Sequence, residues 1–152
     1  MKSEKKIKKM IYNGFGFPVV LNDVAAKMVL GNLEPVINYK TLGAEVIEAL
    51  CQKATPLTGN QVKFIRQYFE LSLRDFAELF GLSHPAIIKW ENHGDDFAEI
   101  SPATEKTLRL EAVFRLGLKA KDFYQVYSDL KDIASKLQKS EVIHEGPLKL
   151  AI

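Results

Sequence analysis

A single cysteine, Cys51, stands in a chain of 152 residues. That rules out an intrachain disulfide and any zinc site built on cysteines. Only three histidines are present, His84, His93 and His144, and no two share the i, i+4 spacing by which one helix offers two imidazoles to a metal. Neither a metal nor any other cofactor is expected. Long apolar runs are missing as well: none approaches the roughly 20 residues of a membrane span. The opening MKSEKKIKKM leads into glycines and a proline instead of an apolar signal core, so the cytoplasm is the expected compartment. The chain also lacks a glycine-rich phosphate loop and any grouping of nucleophile, base and orienting residue, which argues against catalysis. Net charge is small, +2, and does not by itself announce a nucleic-acid partner.

What the chain does have is 47% apolar residues, enough to build one ordinary core. Its charge is unevenly spread. Lys2, Lys5, Lys6, Lys8 and Lys9 crowd residues 1–10, which read as a flexible basic arm, either a solubilising tail or a segment held near phosphates. A second basic stretch holds Lys106, Arg109, Arg115, Lys119 and Lys121. Residues 11–55 predict a small α+β module. Short β-branched runs broken by Gly14, Gly16, Pro18, Gly31 and Pro35 suggest two or three strands, and TLGAEVIEALCQK spaces Leu42, Val46, Ala49 and Leu50 as a helix. Cys51 falls on that helix and reads as a small apolar core residue. ATPLTGN is the expected boundary between the two halves.

Beyond it the punctuation becomes regular. Thr58 and Gln61 have capping-box spacing, and Leu57 and Val62 flank them as a hydrophobic staple. Ser72 caps a short second helix, LRDFAELF, which Gly81 can end in the left-handed conformation. Ser83 is placed to cap a third helix with Pro85 in its first turn, where a missing N–H costs little. Phe76, Ala77, Phe80, Leu82, Ile87 and Trp90 form the expected shared buried face of a helix-turn-helix. A fourth helix opens at Ser101-Pro102. A fifth, residues 119–138, carries an apolar stripe of Phe123, Val126, Tyr127, Leu130, Ile133 and Leu137 that either covers the monomer core or faces a second copy. Residues 139–152 show no clear period and read as a tail.

The stretch from Leu57 to Gly94 resembles the Cro/lambda-repressor-like (Xre-type) DNA-binding domain through Leu71, Ser72, Phe76, Ala77, Gly81, Ser83, Ile87, Trp90, Glu91 and Gly94. The extra pair Asn92-His93 before Gly94 is a departure confined to a loop. The SPAT opening of the next helix and the order of the two halves are similar to MqsA-type antitoxins, whose zinc-holding cysteine pairs this chain lacks. The resemblance implies a mainly α fold, a helix-turn-helix bundle over residues 56–118 preceded by the small α+β module.

A recognition helix enters the major groove when one face packs and the other offers polar groups near its N-terminal end. With Ile87 and Trp90 turned inward, positions 84, 85, 88, 89 and 92 face out. The family's geometry puts His84, Pro85 and Lys89 where bases are met. Lys89 can donate to guanine, and Pro85 or Ile88 suits a thymine methyl. Lys63, Arg66, Ser72, Arg74, Ser83 and Asn92 are the candidate phosphate contacts.

The expected function is a sequence-specific repressor that binds a palindromic operator in double-stranded DNA as a homodimer and autoregulates a toxin-antitoxin operon as its antitoxin. Two alternatives stay open: a neutraliser of a partner toxin with DNA binding subordinate, and a stand-alone repressor with no toxin.

Overall fold

The structure, a computed structural model, describes residues 4–117 and 147–150. Within them, five helices and a four-stranded sheet make an α+β fold. No helix among the described residues is long and apolar enough to cross a membrane.

The sheet is built around one long strand. Lys5–Tyr12 (β1) pairs antiparallel with Val19–Val29 (β2), which turns back into Asn32–Pro35 (β3). Leu148–Lys149 (β4), from the far end of the chain, lies parallel to β2 against Val19 and Val20, and the Leu148 N–H donates to the Pro18 carbonyl at 3.0 Å. Val19 and Leu21 are buried on the inner face, and Phe15 and Phe17 enter the core just before them.

Two expectations are corrected here. The basic arm is not free over residues 5–10: Ile7 and Met10 are partly buried between the lysines, and the backbone finds its ladder partners on β2. Among the described residues β1 is an edge strand, where lysines are well tolerated and their charge discourages pairing with another chain. The tail likewise is tied down at Leu148, which is only 8% exposed. Such a pairing between distant segments leaves no local period to read. The helix expected at residues 119–138 lies outside the described residues.

Tyr39–Gln52 (α1) begins at Asn38, whose side chain accepts from the Thr41 N–H, and buries Val46, Ile47, Leu50 and Cys51. Gly59–Tyr68 (α2) carries Phe64 into the N-terminal half, where its ring meets Phe15 at 5.1 Å, Phe17 at 5.6 Å and Tyr39 at 6.4 Å between centroids. Leu73–Glu78 (α3), His84–Glu91 (α4) and Pro102–Arg115 (α5) are the remaining helices. One continuous apolar cluster therefore runs from Phe15 through Val62 and Phe64 to Trp90 and Val113. The sheet and the helices do not pack as separate cores.

The segment expected as the boundary between the two halves is gripped by α5. Arg109 is fully buried and donates to the carbonyls of Cys51 (3.3 Å), Lys53 (2.7 Å) and Thr55 (2.7 Å) and to Glu105 (3.1 Å). The other oxygen of Glu105 accepts from the Leu57 N–H at 2.8 Å. A buried charge is tolerable only when paired and hydrogen-bonded, and here the linker's own carbonyls supply the partners. Arg109 thus belongs to the core and not to a basic surface.

Candidate nucleic-acid interface

The outward residues of α4 owe their positions to how firmly its inward side is held. Thr58 and Gln61 form the expected reciprocal capping box at the start of α2. At the next residue, Gly59, a Cβ would stand 2.6 Å from the Trp90 carbonyl oxygen and 2.8 Å from that of Glu91. Only glycine lets α2 start this close to the end of α4. The chain leaving α4 then folds over α2: the N–H groups of Asn60 and Gly59 donate to the carbonyls of Gly94 (2.8 Å) and Asp96 (3.1 Å). Asn60 also donates its side-chain amide to Asp95 at 2.9 Å.

Between α3 and α4 the turn is local. Ser72 accepts from the Asp75 N–H at 3.0 Å, as its position predicts. Gly81 takes φ +67° and the Leu82 N–H returns to the Ala77 carbonyl at 3.0 Å, so the helix ends in a left-handed residue. Ile87 and Trp90 are buried, and Phe80 stacks edge-on between Phe76 (5.2 Å) and Trp90 (5.8 Å). Leu82 departs from the expected buried face, being 39% exposed. The turn that Gly81 permits carries its side chain past the core.

Ser83 has the extended backbone of an N-cap, yet its side chain makes no capping hydrogen bond. Proline at the helix start removes one of the N–H groups a cap would serve. The Ser83 hydroxyl therefore stays exposed at the head of α4.

His84, Pro85, Lys89 and Asn92 are exposed, and Ile88 is 39% exposed. Pro85, Ile88, Lys89 and Asn92 line one open concavity of about 530 Å³ together with His93 and Asp96, while His84, the first residue of α4, is outside that lining. The Lys89 ammonium makes no ion pair with a described residue. His93 accounts for the far wall. Its Nδ1 lies 2.8 Å from the Lys89 carbonyl, which can only accept, so Nδ1 carries the proton and closes the end of α4. Its Nε2 is 3.4 Å from Glu99. Sequence spacing did not mark His93 or Asp96 as part of this surface, because both arrive through the loop that Asn60 and Gly59 hold in place.

Of the phosphate candidates, Lys63, Ser72, Arg74, Ser83 and Asn92 are exposed and Arg66 is not. Arg66 forms a two-point pair with Glu91, Nε to Oε2 at 2.7 Å and Nη2 to Oε1 at 2.9 Å, and gives Nη1 to the Leu71 carbonyl at 3.0 Å. The two side chains are 13% and 10% exposed. This bidentate geometry uses the guanidinium's planar fork to tie α2, α4 and the turn before α3 together. Arg66 is thereby withdrawn from the solvent-facing set.

Cys51 is buried and donates weakly to the Arg109 carbonyl at 3.5 Å. Burial pushes its thiol up to about 12, so it stays protonated and is a packing residue, not a nucleophile. No three His, Cys, Asp or Glu side chains among the described residues converge as a metal site. No family model, curated protein or solved structure matches this chain.

Proposed function

We propose that this chain is a sequence-specific, double-stranded DNA-binding regulator in which α3 and α4 act as a helix-turn-helix and α4 is the helix that enters the major groove. The observation that carries the reading is the division of α4: Ile87 and Trp90 lock it from within, while Pro85, Ile88, Lys89 and Asn92 make one outward surface. An α-helix fits the major groove, and a lysine with short apolar neighbours is the chemistry that reads guanine edges and thymine methyls. Lys63, Ser72, Arg74 and Ser83 are the proposed phosphate contacts, with His84 beside the bases.

The surface is not strongly basic. Asp96 lines it and Asp75 and Glu78 are exposed on α3, so sequence-independent attraction is weak and two copies are needed to raise affinity. A homodimer on a palindromic operator follows, acting as a repressor. Its place as the antitoxin of an autoregulated toxin-antitoxin operon is proposed from the sequence resemblance alone.

The test is selection of duplexes from a random pool by the purified full chain at physiological salt. The expected product is an inverted repeat whose half-sites are centred about one helical turn, roughly 34–36 Å, apart. A lone half-site would remove the dimer from the proposal, and failure to enrich any sequence would overturn the DNA reading.

A further inference from the structure

The loop that follows α4 carries two aspartates that are held differently. Asp95 turns to α2, where it accepts from the Asn60 side-chain amide at 2.9 Å. Asp96 instead lines the concavity of about 530 Å³ with Pro85, Ile88, Lys89, Asn92 and His93. Its main chain is fixed on both sides: its N–H donates to the His93 carbonyl at 3.0 Å, and its carbonyl accepts from the Gly59 N–H at 3.1 Å. Two residues on, the Ala98 N–H donates to the Leu57 carbonyl at 2.9 Å. The start of α2 that sets the end of α4 therefore also sets Asp96 beside it.

The concavity thus combines a group that only donates with one that only accepts. The Lys89 ammonium offers three N–H groups and no lone pair, and the ionised Asp96 carboxylate offers lone pairs and no proton. Phosphate oxygens suit Lys89 but are repelled by Asp96, since both are negative. A base pair suits both. Its donors in the major groove are the amino groups of cytosine N4 and adenine N6. Adenine carries the N7 lone pair next to its amino group, which a carboxylate repels, whereas cytosine has only C5–H there. Guanine gives Lys89 two acceptors, O6 and N7.

We propose that Asp96 is a specificity-determining residue: it accepts from cytosine N4 while Lys89 donates to the guanine of the same or the neighbouring base pair. The proposal rests on the DNA reading and deepens it, because it assigns the concavity to a G·C-containing step and not to the phosphate backbone.

The experiment is parallel selection of duplexes from one random pool by the full chain and by its Asp96→Asn, Asp96→Ala and Asp95→Asn variants. Selected duplexes are then titrated by fluorescence anisotropy at physiological salt, and melting followed by Trp90 fluorescence checks that each variant is folded. Asp96→Asn keeps the shape of the side chain, so it carries the test if Asp96→Ala is unstable.

The unmutated chain should enrich a motif in which one cytosine is preferred about tenfold. Asp96→Ala should lose that preference, and Asp96→Asn should replace the cytosine by adenine, because an amide donates to N7 and accepts from N6. Asp95→Asn removes the same charge one residue away and should leave the motif as it was. A motif without cytosine, or one that neither Asp96 variant alters, overturns the proposal and leaves the DNA reading standing. Affinity that rises on every sequence with an unchanged motif does the same, as it marks a carboxylate that merely repels phosphate. An equal change of motif with Asp95→Asn also overturns it. Failure of the unmutated chain to enrich any duplex overturns both readings.

Discussion

Removing Glu91 tests whether Arg66 is a structural strut or a free cation. In the folded chain the Glu91 carboxylate takes two of the three hydrogen bonds made by Arg66, and the pair is nearly buried at 13% and 10% exposure. Glu91→Ala leaves the guanidinium with the Leu71 carbonyl as its remaining partner. Breaking a buried pair from one side costs about 3–5 kcal/mol, and the residual exposure, which lets water in, places this case near the lower figure, about 3 kcal/mol. For a chain of this length each kcal/mol moves Tm by about 2–4 °C, so a fall of about 6–12 °C is expected. Trp90 is the sole tryptophan and packs against Phe80, so its fluorescence reports unfolding of this region directly. The double variant Arg66→Met with Glu91→Leu should recover most of the loss, since apolar groups of similar volume replace buried pairs at little cost. The reasoning is refuted if Arg66→Met leaves Tm within about 2 °C while lowering the salt slope of DNA binding by about 0.9. That pattern belongs to a phosphate contact.

Four further outcomes are expected. Lys89→Ala should weaken binding to the selected duplex by about tenfold and relax preference at one base position; equal losses on selected and scrambled duplexes would reassign Lys89 to the phosphates. Arg74→Ala should lower affinity on every sequence and make the salt slope shallower by about 0.9, and an unchanged slope would take it out of the phosphate set. Gly59→Ala should cost about 1–3 kcal/mol in urea denaturation, because its Cβ would meet backbone atoms that cannot swing aside; full stability would contradict the close approach of α2 to α4. Cys51 should resist iodoacetamide in the folded chain at pH 8 and react once urea unfolds it. Folding raises its pKa, so thiolate formation is suppressed until unfolding returns it to the ordinary range. Rapid labelling of folded protein would refute its burial.

The helices were legible because their signals are local. A Thr58 hydroxyl finds the Gln61 N–H three residues on, Ser72 does the same with Asp75, and Gly81 relieves a positive φ that its own turn imposes. The outward set on α4 was legible for a related reason, since helical spacing alone turns 88 and 89 away once Ile87 and Trp90 are inside. Ser83 shows the limit: a capping residue type stands in a capping position, yet the bond is absent.

Charge was the least readable property. Arg66 and Arg109 look like Lys63 and Arg74 in a string of letters, yet Arg66 is a half-buried strut, Arg109 a buried one, and the other two face solvent. What decided between them was the arrival of Glu91 from another helix and of the Cys51–Thr55 carbonyls from another segment. The lysine-rich start became a strand for the same kind of reason, because β2 offered its backbone a partner.

By itself, then, the sequence determined where helices begin and end and which face of α4 is apolar, since those depend on neighbours a few residues away. Only folding decided which cations are buried and paired, how α4 is clamped to α2, and that β4 pairs with one end of β2. Each of those depends on contacts between distant segments, and such contacts exist only once the chain has folded.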